Sequence, residues 1–337
     1  MAARSEPRGR GALTEARAIA LLRKSLEAAS AGSSLGSGGR AVELGIGDDA
    51  AVVRLSGRHV WTVDSSSQGV HFDLGWLSLR QAAERAFEAA LSDLAAMGAV
   101  PVGALCNLQV PSSATAAQIR QVGRGQAEAS RRAKCPLIGG NLCRGEAWQF
   151  VTSVLGAASK PLTRSGARPG HEVWLIGQAG EAAAGLWLLR NGGSRVAARA
   201  RARCLRAWRA PRALLLEGQR LLGRASAAID VSDGLASDAS HLAEASGVRV
   251  VLDESQLRSL ASSSLQQVAR AAGCDPVQWM LLGGEDYALL ATGPAAKRPS
   301  IARVIGVVEA GQGALLQRGK ARRALRGGFD HLKTPRG

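Results

Sequence analysis

Eight carboxylates in this chain lie where an apolar segment ends, next to glycine, serine or threonine. The chain has only 27 acidic residues against 43 Lys and Arg, so acidic side chains set in apolar sequence are conspicuous. Hard cations such as Mg²⁺ need oxygen ligands, which separate segments of a chain can supply together. The candidate ligands are Asp48, Asp49, Asp64, Asp93, Asp230, Asp233, Glu285 and Asp286.

Asp93 gives the clearest indication, because it interrupts the apolar helical sequence AFEAALSDLAAMG. An unpaired charge buried in such a helix would cost several kcal/mol, and an arginine partner or a bound divalent cation would remove that cost. The other positions also fit ordinary structural roles. Asp48 and Asp49 fit a turn before a strand, Asp233 fits a helix N-cap before Gly234, and GGED fits a solvated turn.

Two glycine-rich sequences, IGGNLCRG and GGED, are suited to binding anions. Glycines let backbone N–H groups approach anionic oxygens closely. Neither sequence matches a Walker P-loop or a Rossmann fingerprint. Because Mg²⁺ in proteins is commonly shared with substrate phosphates, carboxylates and glycine-rich turns together indicate a Mg²⁺-dependent enzyme that handles phosphate groups.

The net charge of +16 raises the question of nucleic-acid binding. The basic residues are dispersed, however, and only six of them are Lys. The densest run, 199–212, keeps Arg199, Arg203 and Arg206 at helical spacing, which is typical of a solvated helix face. We therefore expect no specific nucleic-acid partner, although a basic surface favours a phosphorylated substrate.

Cysteine content and hydropathy indicate a cytoplasmic protein without a membrane partner. The five cysteines include no C-x-x-C pair, so free thiols are expected rather than a disulfide framework or a zinc site. No segment reaches about 18 uninterrupted apolar residues. The N-terminal apolar run 18–22 is too short for a signal-peptide core.

Periodicity and turn residues predict helices and strands mixed along the whole chain. In the first half we expect helices at 14–28, 77–97 and 114–133, strands at 50–55, 59–64, 102–110 and 149–156, and a glycine-rich loop at 139–145. The turn-rich segment 157–170 predicts a domain boundary. Beyond it we expect strands at 171–177, 227–230, 248–252, 287–292 and 301–308, and helices at 180–190, 195–224 and 235–245.

Eight short sequences, in order, resemble the thiamine-monophosphate kinase family, which belongs to the superfamily of aminoimidazole-ribonucleotide synthetase. They are GIGDDAAV, VDSSSQGVHF, LSDLAAMGA, IGGN-x-x-RG, LTRSGARPG, AIDVSDGLASD, GGEDYALL and GGFDHL. The resemblance covers about residues 16–332. Each piece is short, but eight in the same order and spacing are hard to explain by chance.

The resemblance implies an α+β protein of two domains that forms a homodimer. An N-terminal α/β domain would dimerise through its sheet and bind ATP and Mg²⁺, and a C-terminal α+β domain would follow. On this basis residues 1–40 form an N-terminal helix and linker. Residues 41–157 form the ATP- and Mg²⁺-binding dimerisation domain, and residues 158–337 form the C-terminal domain.

The activity implied is the ATP-dependent phosphorylation of thiamine monophosphate to thiamine diphosphate. The family transfers the phosphoryl group directly, so no catalytic nucleophile is expected, and positioning and several Mg²⁺ ions supply the catalysis. The resemblance assigns metal binding to Asp49, Thr62, Asp64, Asp93, Asp230 and Asp233. It assigns ATP binding to Gly140, Asn141, Arg164 and Ser232. It assigns substrate binding to His71, Glu285 and Phe329, whose ring could stack on the cationic thiamine ring.

The chain departs from the family pattern at three places. Asn141 stands where the family commonly has Asp, so one Mg²⁺ site should be weaker, since an amide oxygen carries no charge. The sequence SSSQ at 65–68 replaces a more apolar stretch, and Val63 replaces a usual Thr. These changes bear on rate and substrate fit more than on fold.

Two alternatives remain open. One is another ATP-using synthetase of the superfamily acting on a ribonucleotide amide, against which GGEDY and GVHF argue. The other is a non-catalytic relative that binds nucleotide or a polyanion, which Asn141 and the charge of +16 suggest. Retention of Asp49, Asp64, Asp93 and Asp230 argues against the second alternative.

Overall fold

The structure, a computed structural model, describes residues 13–30, 41–46 and 50–328 of the chain. It divides into two compact units, each built from several pieces of sequence. The first unit comprises Met1–Leu55, Val63–Phe87 and Val102–Ser153, and the second comprises Ser56–Thr62, Glu88–Pro101 and Val154–Gly337, as far as these residues are described. The sequence-based limits at 41–157 and 158–337 stay a prediction.

Helices and strands alternate in the first half of the chain, as predicted. In chain order they are α1 Glu15–Ser30, β1 Val42–Leu44, β2 Val52–Val53, β3 His59–Ser67, α2 Leu79–Ala96, β4 Val100–Pro111, α3 Ala116–Ala133, β5 Leu137–Gly145 and β6 Gln149–Ala157. A capping box explains where α3 begins, because Thr115 and Gln118 each accept a hydrogen bond from the other's backbone N–H. The helix ends where Lys134 adopts a left-handed conformation.

The second half of the chain also mixes both element types. In order these are β7 Glu172–Ile176, α4 Glu181–Asn191, α5 Ala198–Arg209, α6 Leu215–Leu221, β8 Ala227–Val231, α7 Leu235–Ser246, β9 Arg249–Asp253, α8 Glu254–Leu260, α9 Ser263–Ala272, α10 Pro276–Leu282, β10 Ala288–Gly293, β11 Arg303–Glu309, β12 Gly313–Arg318 and β13 Ala321–Ala324. Among the described helices, none combines the length and hydropathy that crossing a membrane requires. The five cysteines are free thiols.

The glycine-rich segment 139–145 was predicted to be a loop, and this prediction is wrong. It forms most of β5, which pairs in parallel with β4 in a sheet of order β3-β6-β4-β5. A Cβ atom on Gly140 would lie 2.0 Å from the backbone oxygen of Cys106. Glycine is therefore needed for the close approach of the two strands, and here it marks a strand contact rather than a turn.

The predicted single helix at 195–224 is also wrong, because the chain breaks it into α5 and α6. Pro211 stands between them. Proline disfavours helical conformation in the residue before it and has no N–H to donate, so α5 ends at Arg209. The break leaves α5 as a separate helix that packs on α4.

A seven-stranded sheet of order β13-β12-β9-β11-β7-β10-β8 forms the centre of the second unit. Neighbouring strands are antiparallel except β12 and β9, which are parallel. Successive residues of a strand point to opposite faces, so each face of the sheet has its own core. On β8, Ile229 belongs to one core and Ala228 to the other. Asp230 shares the face of Ala228, and it lies near the end of an edge strand.

Candidate active site

Asp93 lies near the C-terminal end of α2, in the part of that helix that belongs to the second unit. Its carboxylate is half-buried, and its Oδ2 accepts a hydrogen bond of 2.5 Å from Thr62 Oγ1 on β3. The partner of this carboxylate is thus a hydroxyl from another element. A threonine hydroxyl carries no positive charge and does not neutralise a carboxylate. A bound cation, as predicted, is therefore still a suitable partner for Asp93.

Asp230 is buried at the edge of the sheet and faces α2. Its Oδ2 accepts a hydrogen bond of 2.9 Å from Ser92 Oγ, the neighbour of Asp93. Burial, followed by the negative charge of Asp93, raises the pKa of Asp230 to about 7, while Ser92 and the positive charge of Arg164 lower it in part. A buried carboxylate with a second carboxylate beside it forms a place where a divalent cation would be stabilised.

Ser232 and Asp233 follow β8 directly and lead into α7. The backbone N–H of Asp233 donates to Oδ2 of Asp238 at 3.3 Å, and Asp238 lies in the first turn of α7. Asp238 is buried, and burial together with the charges of Asp230 and Asp233 raises its pKa to about 8. Sequence reasoning did not assign Asp238, although the repeated S-D of VSDGLASD marks it.

The GGED turn is held in an uncommon backbone conformation. Glu285 has φ +68° and Tyr287 has φ +50°, which are left-handed values that non-glycine residues rarely adopt. The backbone N–H of Glu285 donates to the carbonyl of Ser232 at 2.8 Å. Strained backbone that the surrounding structure holds in place is typical of functional sites. This conformation agrees with the prediction that GGED belongs to a binding site.

Asp286 has a structural role that sequence reasoning missed. Its two carboxylate oxygens accept hydrogen bonds from the backbone N–H groups of Gly180 at 2.6 Å and Ala182 at 3.0 Å. These groups lie at the N-terminal end of α4, where unpaired donors and the helix dipole favour a negative charge. The sequence also fitted a solvated turn for GGED. At Asp286 this interpretation is wrong, because the carboxylate caps α4, a helix that is distant in sequence.

Asp286 also predicts a pH dependence of stability. Burial raises its pKa to about 7, and the two amide hydrogen bonds lower it in part. An aspartate in the unfolded chain titrates near about 3.9. The folded chain therefore binds this proton more tightly, and the Asp286 contribution to the free energy of unfolding falls as pH rises from about 4 to about 7.

We expect Asp286→Asn to remove this contribution. The variant should lose less stability than the unsubstituted protein between about pH 4 and about pH 7, as measured by urea unfolding without added metal. The replacement also perturbs the cap on α4, so the comparison concerns the pH slope and not the absolute stability. Equal slopes for the two proteins would show that Asp286 does not change protonation on folding in this range.

In the first unit, Asn141 lies on β5 beside Asn107 on β4. Nδ2 of Asn141 donates to Oδ1 of Asn107 at 3.0 Å, and Sγ of Cys143 lies 3.7 Å from the same oxygen. Two donors that converge on one oxygen fix which way the Asn107 amide points. With its NH₂ group directed at Asn107, Asn141 presents its carbonyl oxygen elsewhere, as a nucleotide or metal contact requires.

His71 and Asp64 are the other predicted site residues of the first unit. Nδ1 of His71 accepts a hydrogen bond of 3.0 Å from the backbone N–H of Ser67. The neutral ring therefore carries its proton on Nε2, which is a donor suited to a phosphate oxygen. Oδ1 of Asp64 accepts a hydrogen bond of 2.7 Å from the backbone N–H of Ser65.

The donor set fits Mg²⁺ bound in the usual way, through few protein ligands. Within residues 13–30, 41–46 and 50–328, no group of three or more His, Cys, Asp or Glu side chains is placed to hold a metal ion alone. Mg²⁺ commonly binds through one or two carboxylates, waters and substrate phosphates, so the pair of Asp93 and Asp230 is sufficient for this mode. Two predicted site residues, Asp49 and Phe329, lie outside the described residues.

Both halves of the chain match models of known protein families. Residues 47–158 match the family described as AIR synthase related protein, N-terminal domain, and residues 168–317 match AIR synthase related protein, C-terminal domain. The thiamine-monophosphate kinase of Mycobacterium tuberculosis is 35% identical over 290 residues, which cover 83% of each chain.

Two solved structures are similar over most of the chain. Thiamine-monophosphate kinase from Stenotrophomonas maltophilia K279a matches with a TM-score of 0.78 and 28% identity, covering 88% of this chain and 95% of that one. AaThiL complexed with AMPPCP and TMP matches with a TM-score of 0.76 and 29% identity, covering 93% and 95%. The predicted α+β fold of two domains is thereby confirmed, while dimerisation through the sheet stays a prediction. The chain belongs to the thiamine-monophosphate kinase family of AIR synthase related proteins.

Proposed function

We propose that this chain transfers the γ-phosphoryl group of ATP to thiamine monophosphate and produces thiamine diphosphate and ADP. The observation that carries the proposal is the pair of carboxylates Asp93 and Asp230, each held by a hydroxyl group and close enough for Asp93 to raise the pKa of Asp230. Relatives named thiamine-monophosphate kinase support the choice of acceptor. AaThiL, which binds AMPPCP, an analogue of ATP, together with TMP, supports the choice of donor.

In this reaction a terminal phosphate oxygen of thiamine monophosphate attacks the γ-phosphorus of ATP. The bond between the γ-phosphorus and its bridging oxygen breaks, and ADP leaves with that electron pair. Mg²⁺ held by Asp93, Asp230 and the other predicted ligands Asp49, Thr62, Asp64 and Asp233 would neutralise negative charge on the phosphates. The protein contributes positioning, and no covalent intermediate on a side chain is needed.

The remaining predicted residues receive binding roles. We assign the nucleotide to Gly140, Asn141, Arg164 and Ser232, where a glycine backbone, an amide, a guanidinium and a serine suit phosphate and sugar oxygens. We assign thiamine monophosphate to His71, Glu285 and Phe329. Nε2–H of His71 can donate to the substrate phosphate, and the Glu285 carboxylate can face the cationic ring.

We also propose that the protein is a homodimer in the cytoplasm that pairs through the sheet containing β3. Trp61 and Val63 are two positions apart on this strand, so they lie on the same face of the sheet, and they are 73% and 63% exposed. Large apolar side chains at such exposure, on the edge strand of a sheet, are typical of an interface. Light scattering should give twice the mass of the chain, and Trp61→Glu should shift that mass toward a monomer.

Asn141 allows a direct test of the predicted weak metal site. Asn141→Asp adds a charged ligand, so we expect the Mg²⁺ concentration at half-maximal rate to fall about tenfold, since carboxylates bind Mg²⁺ better than amides do. The Asn107 amide must turn to donate to the new carboxylate. Asn191→Asp, an equal change of charge at an exposed residue, is the matched control and should leave the Mg²⁺ dependence unchanged. An unchanged dependence in Asn141→Asp would remove Asn141 from the metal site.

The activity is tested by ADP formation from ATP and Mg²⁺ with three acceptor conditions: none, thiamine monophosphate, or a ribonucleotide amide. We expect ADP formation with thiamine monophosphate alone, matched by thiamine diphosphate. ADP formation only with the ribonucleotide amide would favour the sister synthetases. A folded protein that binds ATP without turnover under any condition would favour the non-catalytic relative.

A further inference from the structure

Trp208 contacts Glu285 through the only polar atom of its side chain. Trp208 lies near the C-terminal end of α5 and is 2% exposed. Its indole N–H donates to Oε2 of Glu285 at 2.8 Å, across 77 residues of sequence. A buried tryptophan N–H needs an acceptor, and a carboxylate is a strong one. The contact therefore fixes the Glu285 carboxylate to the rigid packing of α5.

The backbone of Glu285 is fixed independently of its side chain. Its N–H donates to the Ser232 carbonyl, and the N–H of Tyr287 donates to the Val231 carbonyl at 3.0 Å. A Cβ atom on Gly284 would lie 2.2 Å from the Ser232 oxygen, so the turn packs closely against the segment that follows β8. Because the backbone and the carboxylate of Glu285 are both held by hydrogen bonds, its side chain loses little further freedom when a ligand binds.

We propose that Trp208 is a positioning residue for the substrate, which acts by holding the Glu285 carboxylate in the orientation that binds the cationic thiamine group. This inference rests on the proposed function, in which Glu285 contacts thiamine monophosphate. Trp208 acts through the Glu285 carboxylate, to which its indole N–H donates. Its loss therefore affects substrate binding and leaves nucleotide binding and the chemical step in place.

The test compares Trp208→Phe with Trp174→Phe, a matched control that the chain provides. Trp174 on β7 is also fully buried, and its indole N–H donates to a glutamate, Oε2 of Glu172 at 2.7 Å. Each variant loses the pyrrole ring of one indole and its hydrogen bond to a carboxylate, so each substitution should lower the melting temperature. Only Trp208→Phe should raise KM for thiamine monophosphate, by about tenfold, because an immobilised charged contact is lost. KM for ATP and kcat should stay within about twofold.

Equal KM values for thiamine monophosphate in the two variants would overturn the proposal. A rise in KM for ATP as large as that for thiamine monophosphate would also overturn it, since it would indicate general disruption. In the background of Glu285→Ala, Trp208→Phe should add no further increase in KM, because the group it positions is absent. An additive effect would show that Trp208 acts elsewhere.

A second measurement does not depend on activity. The indole N–H resonance of Trp208, assigned by its absence in Trp208→Phe, should move upfield in Glu285→Gln as the charged acceptor is lost. An unmoved resonance in the folded Glu285→Gln protein would show that the hydrogen bond is absent and would overturn the proposal. Failure of the proposed function gives a different result, namely an unsubstituted protein that makes no thiamine diphosphate while this resonance shift persists.

Discussion

Replacing Asp93 by asparagine is expected to lower kcat for thiamine-diphosphate formation by on the order of a thousandfold while the protein stays folded. Asparagine keeps an oxygen that can accept the hydrogen bond from Thr62, so the contact between α2 and β3 survives. It removes the charge that Mg²⁺ needs. It also removes the repulsion that, together with the larger effect of burial, raises the pKa of Asp230, so the melting temperature should not fall.

The control for this prediction is Asp253→Asn. Asp253 caps α8 through the backbone N–H groups of Ser255 and Gln256, and asparagine is an equally good cap. It makes the same chemical change away from the carboxylate pair and should leave kcat unchanged. An Asp93→Asn variant that keeps more than about a tenth of the activity would show that the ligand assignment is wrong. A lost fold would instead show that Asp93 is a structural residue.

The second large effect is expected on stability, from Gly185→Ala in α4. A Cβ atom at this position would lie 2.1 Å from the backbone oxygen of Cys204 in α5 and 3.1 Å from Cβ of Trp208. Alanine is favoured over glycine in a helix by about 1 kcal/mol. Overpacking against a backbone that cannot rotate away costs about 3 kcal/mol. The overpacking dominates, so we expect a net loss of about 2 kcal/mol in the free energy of unfolding, measured by urea denaturation.

Gly45→Ala is the control, because the nearest atom to a Cβ there is the Ile138 backbone oxygen at 4.0 Å. That variant should stay within about 0.5 kcal/mol of the unsubstituted protein, as expected for a site without a clash. Because α5 carries Trp208, Gly185→Ala should also raise KM for thiamine monophosphate. A stability equal to or above that of the unsubstituted protein would show that α4 and α5 can separate without cost.

The elements that sequence predicted well are those with a strong local signal. Helices α2 and α3 and strands β6 and β10 follow apolar periodicity, and their predicted ends are within about two residues of the observed ones. Helices α8, α9 and α10 were missed, although Asp253, Ser262 and Asp275 stand at their N-caps and each accepts a backbone hydrogen bond. The helices α8 and α10 have only seven residues each, so their cap residues carried most of the local signal. The longer α9 also buries Leu265 and Val268 on one face.

The errors have a common physical origin in contacts between distant segments. The glycines of 139–145 were interpreted as loop residues because glycine is common in turns. They lie in a strand instead, where Gly140 admits the Cys106 carbonyl of the neighbouring strand. A local pattern does not distinguish these cases, since the clash that excludes other residues comes from a strand more than thirty positions away.

The candidate site shows the same limit. Acidic residues in apolar sequence identified Asp93 and Asp230 because an unpaired charge there demands an explanation. Ser92, Asn107 and Trp208, which hold the site residues in place, carry no such local signal. Their roles depend on which side chains the fold brings to them, as when Trp208 reaches Glu285. Most of the charged site residues were therefore predictable, with Asp238 as an exception, and those that orient them were not.

The most direct test of the account is the fate of the γ-phosphoryl group. The full chain would be incubated with Mg²⁺, thiamine monophosphate and ATP labelled in the γ-phosphate, and the products separated. We expect label in the terminal phosphate of thiamine diphosphate, in an amount equal to the ADP formed. Label released only as inorganic phosphate, or retained in ATP while the folded protein binds both ligands, would contradict it.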